Sequence, residues 1–219
     1  MAKSRVAIIL DGSSSMQSIR DEAIGAFNEQ VEVLHANSKE VETKVSLVEF
    51  GTEVKEPTIW NRRTSKLTPL TKDQYNPSGM TALHDALGTT INKLTALPEA
   101  NDPDTAFLVV VISDGAENNS KTYTPQFLKQ RIQELEKTGR YTFSYIGANQ
   151  DMFNVSQSLG INIGNTLAFD ASEIGTRNMS TTYAAATTNY IGGLKRGKLQ
   201  AKAMFVAPAD EPEITSKTA

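Results

Sequence analysis

Val6-Ala7-Ile8-Ile9-Leu10-Asp11-Gly12-Ser13-Ser14-Ser15 is the stretch on which the fold turns. Its unbroken apolar run, ended by a carboxylate and a glycine, offers no polar face to water. That is the pattern of a short strand buried on both sides, as in a parallel sheet covered by helices. Directly after it, Met16, Ile19, Ala23, Phe27, Val31 and Leu34 recur at spacings of three and four, one apolar stripe along a long helix.

Working outward, Thr43 to Phe50 reads as a second strand, and the short turn Gly51-Thr52 leads into a third, Glu53 to Trp60. So short a turn predicts a hairpin, with one antiparallel strand at the sheet edge. Asn61 to Met80 is polar, carries Pro69, Pro77 and Gly79, and reads as a surface loop. Leu83, Leu87, Ile91 and Leu94 mark a second helix with Thr81 as its candidate N-cap; Pro98 and Pro103 end it. Phe107 to Ile112 is the strongest buried-strand signal in the chain. A helix over Pro125 to Lys137, a strand over Tyr141 to Ile146, a short helix over Asp151 to Leu159 and a strand over Asn162 to Phe169 follow. Ala171 to Gly192 is rich in Thr and Ser, yet Met179, Tyr183, Ala186 and Tyr190 keep helical spacing and predict a terminal helix. This alternation predicts a doubly wound, Rossmann-like α/β domain over residues 1–206. Its sheet would be mostly parallel, of about six strands with one antiparallel edge strand and helices on both faces. Residues 207–219, with Pro208 and Pro212 among acidic and small residues, read as a disordered tail.

The chain has 219 residues, of which 39% are hydrophobic, enough for one packed core. A net charge of −3 argues against a broadly basic nucleic-acid binder. There is no cysteine, which removes disulfides, thiolate metal sites and cysteine nucleophiles. The first apolar run is too short for a signal-peptide core, and no segment approaches the roughly 18 apolar residues that span a bilayer. The expected location is therefore the cytoplasm, with a virion as the alternative and no membrane partner.

Ligands of open parallel sheets bind at the carboxyl ends of strands, where the strand order reverses. Three polar clusters fall there: Asp11-Gly12-Ser13-Ser14-Ser15 after the first strand, Gly79-Met80-Thr81 entering the second helix, and Ser113-Asp114-Gly115 after the most hydrophobic strand. Carboxylates and hydroxyls are hard oxygen donors, suited to Mg²⁺ or Mn²⁺ and poorly suited to Zn²⁺ or Cu²⁺. Ser13, Ser15 and Thr81 supply neutral oxygens; Asp11 and Asp114 supply two negative charges. A cation so held keeps a position open to an incoming carboxylate and becomes a bridge between two proteins.

The Asp-x-Ser-x-Ser spacing, with a distant Thr and a strand-terminal Asp, resembles the metal-ion-dependent adhesion site of the von Willebrand factor A family. Ile8 to Met16 is similar to the family's opening, Gly79 to Leu83 to its threonine loop, and Val111 to Gly115 to the end of its fourth strand. The resemblance covers roughly Ser4 to Tyr190 and is of the small bacterial or phage type that stands alone. It implies metal contact by Ser13, Ser15 and Thr81, and by Asp11 and Asp114 directly or through water. Mg²⁺ is the expected ion, with Mn²⁺ or Ca²⁺ as alternatives. The implied function is a metal-dependent interaction module whose partner presents an Asp or Glu carboxylate. The departures are Met80, where many members have Gly, and the Thr/Ser-rich last helix; neither removes a ligand.

Blander readings exist for each piece. Asp and Ser favour helix N-termini as simple caps, Thr81 does too, and Asp114-Gly115 makes a good turn. Asp85 reads as a charge at a helix N-terminus, His84 as packed, and Glu117, Asn118 and Asn119 as rim residues where a partner docks. Gly192 to Lys198 imitates a phosphate-binding loop, but Leu199 stands where Ser or Thr is required and no strand precedes it. Two other functions stay open: a structural or decorating component of a larger assembly such as a phage virion, and a metal-dependent hydrolase. The hydrolase lacks a placed general base, so no enzyme is expected.

Overall fold

The computed structural model describes residues 1–148 and 152–205. The expected tail over 207–219, and Asp151 at the expected start of the short helix, lie outside the described residues. Six strands form one sheet: β1 Lys3–Asp11, β2 Glu42–Phe50, β3 Ile59–Arg63, β4 Thr105–Ser113, β5 Tyr141–Ala148 and β6 Thr166–Phe169. The helices are α1 Arg20–Ala36, α2 Leu83–Thr95, α3 Pro125–Glu136, α4 Met152–Ser158 and α5 Glu173–Lys195. The spatial order is β3-β2-β1-β4-β5-β6, with β3 antiparallel to β2 and every other neighbouring pair parallel. The expected doubly wound sheet with an antiparallel edge strand is therefore what forms.

The apolar runs explain the layering. Val6, Ile8 and Leu10 face a core shared with Phe27 of α1 and Tyr183, Tyr190 and Ile191 of α5. Ala7 and Ile9 face the other, shared with Leu87 and Ile91 of α2, Leu128 and Ile132 of α3, and Met152 of α4. Successive residues of a strand point to opposite faces, so only a strand covered on both can be continuously apolar. The Thr/Ser-rich α5 is reconciled with a helix in two ways. Thr181, Thr182 and Thr188 hydrogen-bond back to the carbonyl four residues earlier. On the inner face, Thr187 Oγ1 donates to Gln30 Oε1 at 2.8 Å and Ser180 to the Glu29 carboxylate, so the α1–α5 seam is partly polar.

Three sequence expectations shift. The third strand is not Glu53 to Trp60: Phe50 and Val54 make a lone bridge, and the ladder with β2 begins at Ile59. Pro57 stands in between, and proline has no N–H to give a ladder. The register then slips opposite Val45–Leu47, where Asn61 takes φ +47° and donates its N–H to Ser46 Oγ. The long first helix is divided, with a 3₁₀ stretch over Ser14–Ile19 before α1. Finally, the stretch after β3 is not all surface loop, because Leu70 and Tyr75 are buried. Among the described residues no helix is long and apolar enough to cross a membrane.

The amino ends of the strands are held by an ionic cluster. Arg5, its side chain 3% exposed, bonds Glu42 and Glu99, and Lys44 bonds Glu99 at 2.8 Å. The Lys44 hydrogen bond, against the opposing effect of burial and with help from Arg5, holds the Glu99 carboxyl down to about 2. A depressed carboxyl stabilises the fold fully above its unfolded value near 4.5 and loses that contribution as pH falls through about 2. Glu99→Gln is expected to cost about 1.5–3 kcal/mol at neutral pH. The gap to wild type, read by urea denaturation at several pH values, narrows as pH falls from about 4.5 toward 2.

Candidate metal centre

Strand order reverses between β1 and β4: the chain leaves β1 toward β2 on one side, and β4 begins the run toward β6 on the other. Leu10 lies opposite Ile112, so Asp11 and Ser113 end neighbouring strands at the same level. The crevice left there is the place where an open α/β sheet binds ligands.

All five sequence-predicted residues meet in this crevice. Asp11 is fully buried, Ser13, Thr81 and Asp114 are buried, and Ser15 is exposed. Ser15 Oγ donates to Asp114 Oδ1 at 2.6 Å, and Ser13 Oγ and Ser15 Oγ are 3.0 Å apart. Thr81 enters from the third loop. A methyl group built on Gly115 would sit 3.2 Å from Thr81 Oγ1, 3.6 Å from Asp11 Oδ2 and 3.6 Å from Ser15 Oγ. Three oxygens from two separated segments therefore face one small space, which a glycine of a third segment leaves open. Among the described residues no three His, Cys, Asp or Glu side chains gather to hold a metal. This set is instead two carboxylates with three hydroxyls.

The simple-cap readings are also tested by geometry. Ser13 occupies the N-cap position of the 3₁₀ stretch but makes no side-chain cap bond. The N-cap of α2 is Ala82, not the expected Thr81, and it makes no side-chain cap bond either. The α2 amides are satisfied from elsewhere: His84 N–H donates to Glu117 Oε2 and Asp85 N–H to Ser120 Oγ. The serine and threonine hydroxyls are thus not spent on helix ends. Glu117, expected at a docking rim, is instead turned onto α2.

Burial first, and the nearby Asp114 carboxylate last, push the Asp11 carboxyl above its ordinary value, against hydrogen bonds from Ser113 and Ser13. Burial likewise raises Asp114, against the Ser15 hydroxyl bond. At both carboxyls burial outweighs the hydrogen bonds that favour the charged form.

Several supporting residues escaped the sequence reading. Ser113 Oγ donates to Asp11 Oδ2, and the buried Tyr75 hydroxyl donates to the Asp11 carbonyl. Gly12 N–H donates to the Phe50 carbonyl at 2.6 Å, and Ser78 N–H to the Gly12 carbonyl at 2.6 Å. Gly79 N–H donates to Ser14 Oγ; at φ +84°, with Thr52 Oγ1 pressed against its open side, this position admits only glycine. A Tyr inside a proline-containing polar stretch has no periodic signal, though its size among small polar neighbours marks it.

The two histidines stand apart. His84 Nδ1 is 3.7 Å from Glu117, and His35 at the end of α1 is 3.4 Å from Thr64. The loop-like Gly192 to Lys198 runs off the carboxyl end of α5, where carbonyls rather than amides are free, so it does not cradle phosphate.

Comparisons with known proteins agree with the fold. The profile of the von Willebrand factor type A domain matches residues 6–184. Two crystal forms of proximal thread matrix protein 1 from the mussel byssus superpose with TM-scores of 0.52 and 0.55, each at 14% identity. They cover 84% and 85% of this chain but 45% and 46% of the mussel protein, so the chain spans about half its length. At that identity the likeness concerns the fold alone. No curated protein sequence matches the chain.

Tyr75→Phe removes the hydroxyl that satisfies the buried Asp11 carbonyl. It is expected to lower stability by about 1–3 kcal/mol, measured by urea denaturation.

Proposed function

The chain belongs to the von Willebrand factor type A domain family, whose members generally serve as protein-interaction modules, and on that premise we propose a cation-dependent binding site at the β1–β4 crevice. Asp11, Ser13, Ser15, Thr81 and Asp114 would hold a divalent ion of the Mg²⁺ class, with Mn²⁺ or Ca²⁺ as alternatives. When bound, the ion offers a coordination position to a carboxylate of a partner protein. The observation that carries this reading is the convergence of Thr81, Asp11 and Ser15 oxygens on the space beside Gly115.

The donor chemistry fits. Hard oxygens from two carboxylates and three hydroxyls match a hard cation that retains some of its own water. Two buried carboxylates pushed toward their neutral forms gain from a positive charge placed between them. The hydroxyls now bond one another and Asp114, bonds that they would exchange for the ion.

We read the site as one for binding rather than catalysis. Neither Ser13 nor Ser15 contacts an imidazole, and the nearest histidine, His84, is directed at Glu117. The partner is a protein presenting Asp or Glu. Membership of a larger assembly, virion or cellular, is compatible with that chemistry.

Millimolar Mg²⁺ or Mn²⁺ is expected to raise the melting temperature over that in chelator, by the equivalent of about 2.7 kcal/mol at a hundredfold excess over Kd. Asp11→Ala and Asp114→Ala abolish the rise. Gly115→Ala, whose methyl enters the shared space, abolishes it too while leaving the melt in chelator close to wild type. A wild-type melting curve indifferent to chelator would sink the cation reading. A partner retained from native lysate by wild type, lost with chelator and lost by Asp114→Ala, is the functional counterpart.

A further inference from the structure

Asp11 ends β1 and Asp114 directly follows β4, whose positions the sheet sets, and Ser13 and Ser15 lie within four residues of Asp11. Thr81 belongs to no strand, precedes α2 by two residues, and needs another means of registration. That means is visible. Thr81 N–H donates to Asn118 Oδ1 at 2.9 Å. The Thr81 carbonyl accepts from the Asn118 and Asn119 amides at 3.1 and 3.2 Å. The Thr81 backbone is therefore gripped by two consecutive residues of the segment that follows Asp114.

The shape of that segment depends on one carboxylate. Glu117 Oε1 accepts from the amides of Asn119 at 2.8 Å and Ser120 at 2.6 Å. Glu117 Oε2 accepts from His84 N–H at 2.9 Å and Ser120 Oγ at 2.7 Å. Asp85 answers from the α2 side, its carboxylate accepting from the amides of Lys121, Thr122 and Tyr123. An ordinary capping residue satisfies donors of its own helix end. Glu117 satisfies donors of the helix and of the loop after β4 at once, so the two cannot separate without leaving amides unpaired. Burial alone would raise both carboxyls, but the hydrogen bonds outweigh it and hold them below their ordinary values.

We propose that Glu117 and Asn118 are positioning residues for the cation site, fixing Thr81 Oγ1 relative to Asp114. Asp114 directly follows β4, Asn118 lies on the same loop, and Glu117 ties that loop to the helix Thr81 precedes. This assignment rests on the cation reading of the site. It adds residues that touch neither ion nor partner yet set the affinity for the ion, as supporting residues behind metal ligands do.

The isosteric Glu117→Gln turns an NH₂ toward amide donors, and Asn118→Ala removes the acceptor for Thr81 N–H. In metal-free protein, both are expected to speed hydrogen exchange at the Thr81 amide, with Glu117→Gln also speeding His84 and Asn119. In calorimetric titration, both are expected to weaken Mg²⁺ binding by about 10- to 100-fold. Glu134→Gln, on the exposed side of α3, is the control and changes neither. Variants that melt earlier but bind Mg²⁺ with wild-type affinity would reduce Glu117 and Asn118 to structural caps, overturning the proposal while leaving the cation reading intact. Unchanged Thr81 exchange would overturn it as well. A wild type that binds neither Mg²⁺ nor Mn²⁺ fails the cation reading itself and takes the proposal with it.

Discussion

A carboxylate with no access to water ends the first strand, and the site is organised around keeping it there. Asp11 is fully buried, and a buried charge is costly unless donors surround it. The protein supplies Ser13 N–H on one oxygen and the Ser113 hydroxyl on the other. Tyr75 reaches under the same residue to satisfy its carbonyl. These contacts fix the entry into the Ser13–Ser15 turn and bind β1 to the end of β4. Even so, the donors do not fully offset burial, since the Asp11 carboxyl stays raised. Asp11 and Asp114 thus stand together at the carboxyl ends of β1 and β4, both raised above the ordinary carboxyl range by burial.

Much of this architecture was legible in the sequence because the fold relies on two signals that survive without context. Continuous apolar runs at Val6–Leu10 and Phe107–Ile112 belong only to strands covered on both faces. Stripes at spacings of three and four then assign the helices. The antiparallel edge was foreseen, but its register was not. Pro57 delays the ladder, and Asn61 enters a left-handed conformation that no periodicity encodes. The division of the first helix was hidden as well, because Met16 and Ile19 keep the same apolar stripe in a 3₁₀ turn as they would in an α-helix.

The candidate donors were legible for a different reason: they directly follow strands, or directly precede a helix, and are drawn from few residue types. Their supports were not. Tyr75, Asn118 and Glu117 lie in polar segments without periodicity, and their importance arises from partners tens of residues away. Thr81 shows how the ambiguity resolves. From sequence it serves equally as helix cap or metal donor, because either use needs one hydroxyl near a helix start. The competition is decided by Glu117 and Ser120, which satisfy the α2 amides and leave the threonine side chain facing the crevice. Residues far along the chain thus remove the cap reading of Thr81.

That division of labour separates two kinds of order in the site. The β1 side is held through main chain, with Gly12 bonded to Phe50 and Ser78 bonded back to Gly12. Side-chain substitution barely reaches such bonds except at the glycines packed among them, Gly12, Gly51 and Gly79. The α2 side has main-chain bonds at Thr81 and Ala82 but adds side-chain ones, above all the carboxylates of Glu117 and Asp85 accepting amides from opposite partners. Main-chain stitching gives a fixed platform, whereas charge-assisted side-chain bonds are strong but replaceable one at a time. The geometry between Thr81 and the aspartates is therefore the adjustable dimension of the crevice. Sequence changes around residues 117–120 can tune it while the sheet that carries Asp11 and Asp114 stays as it is.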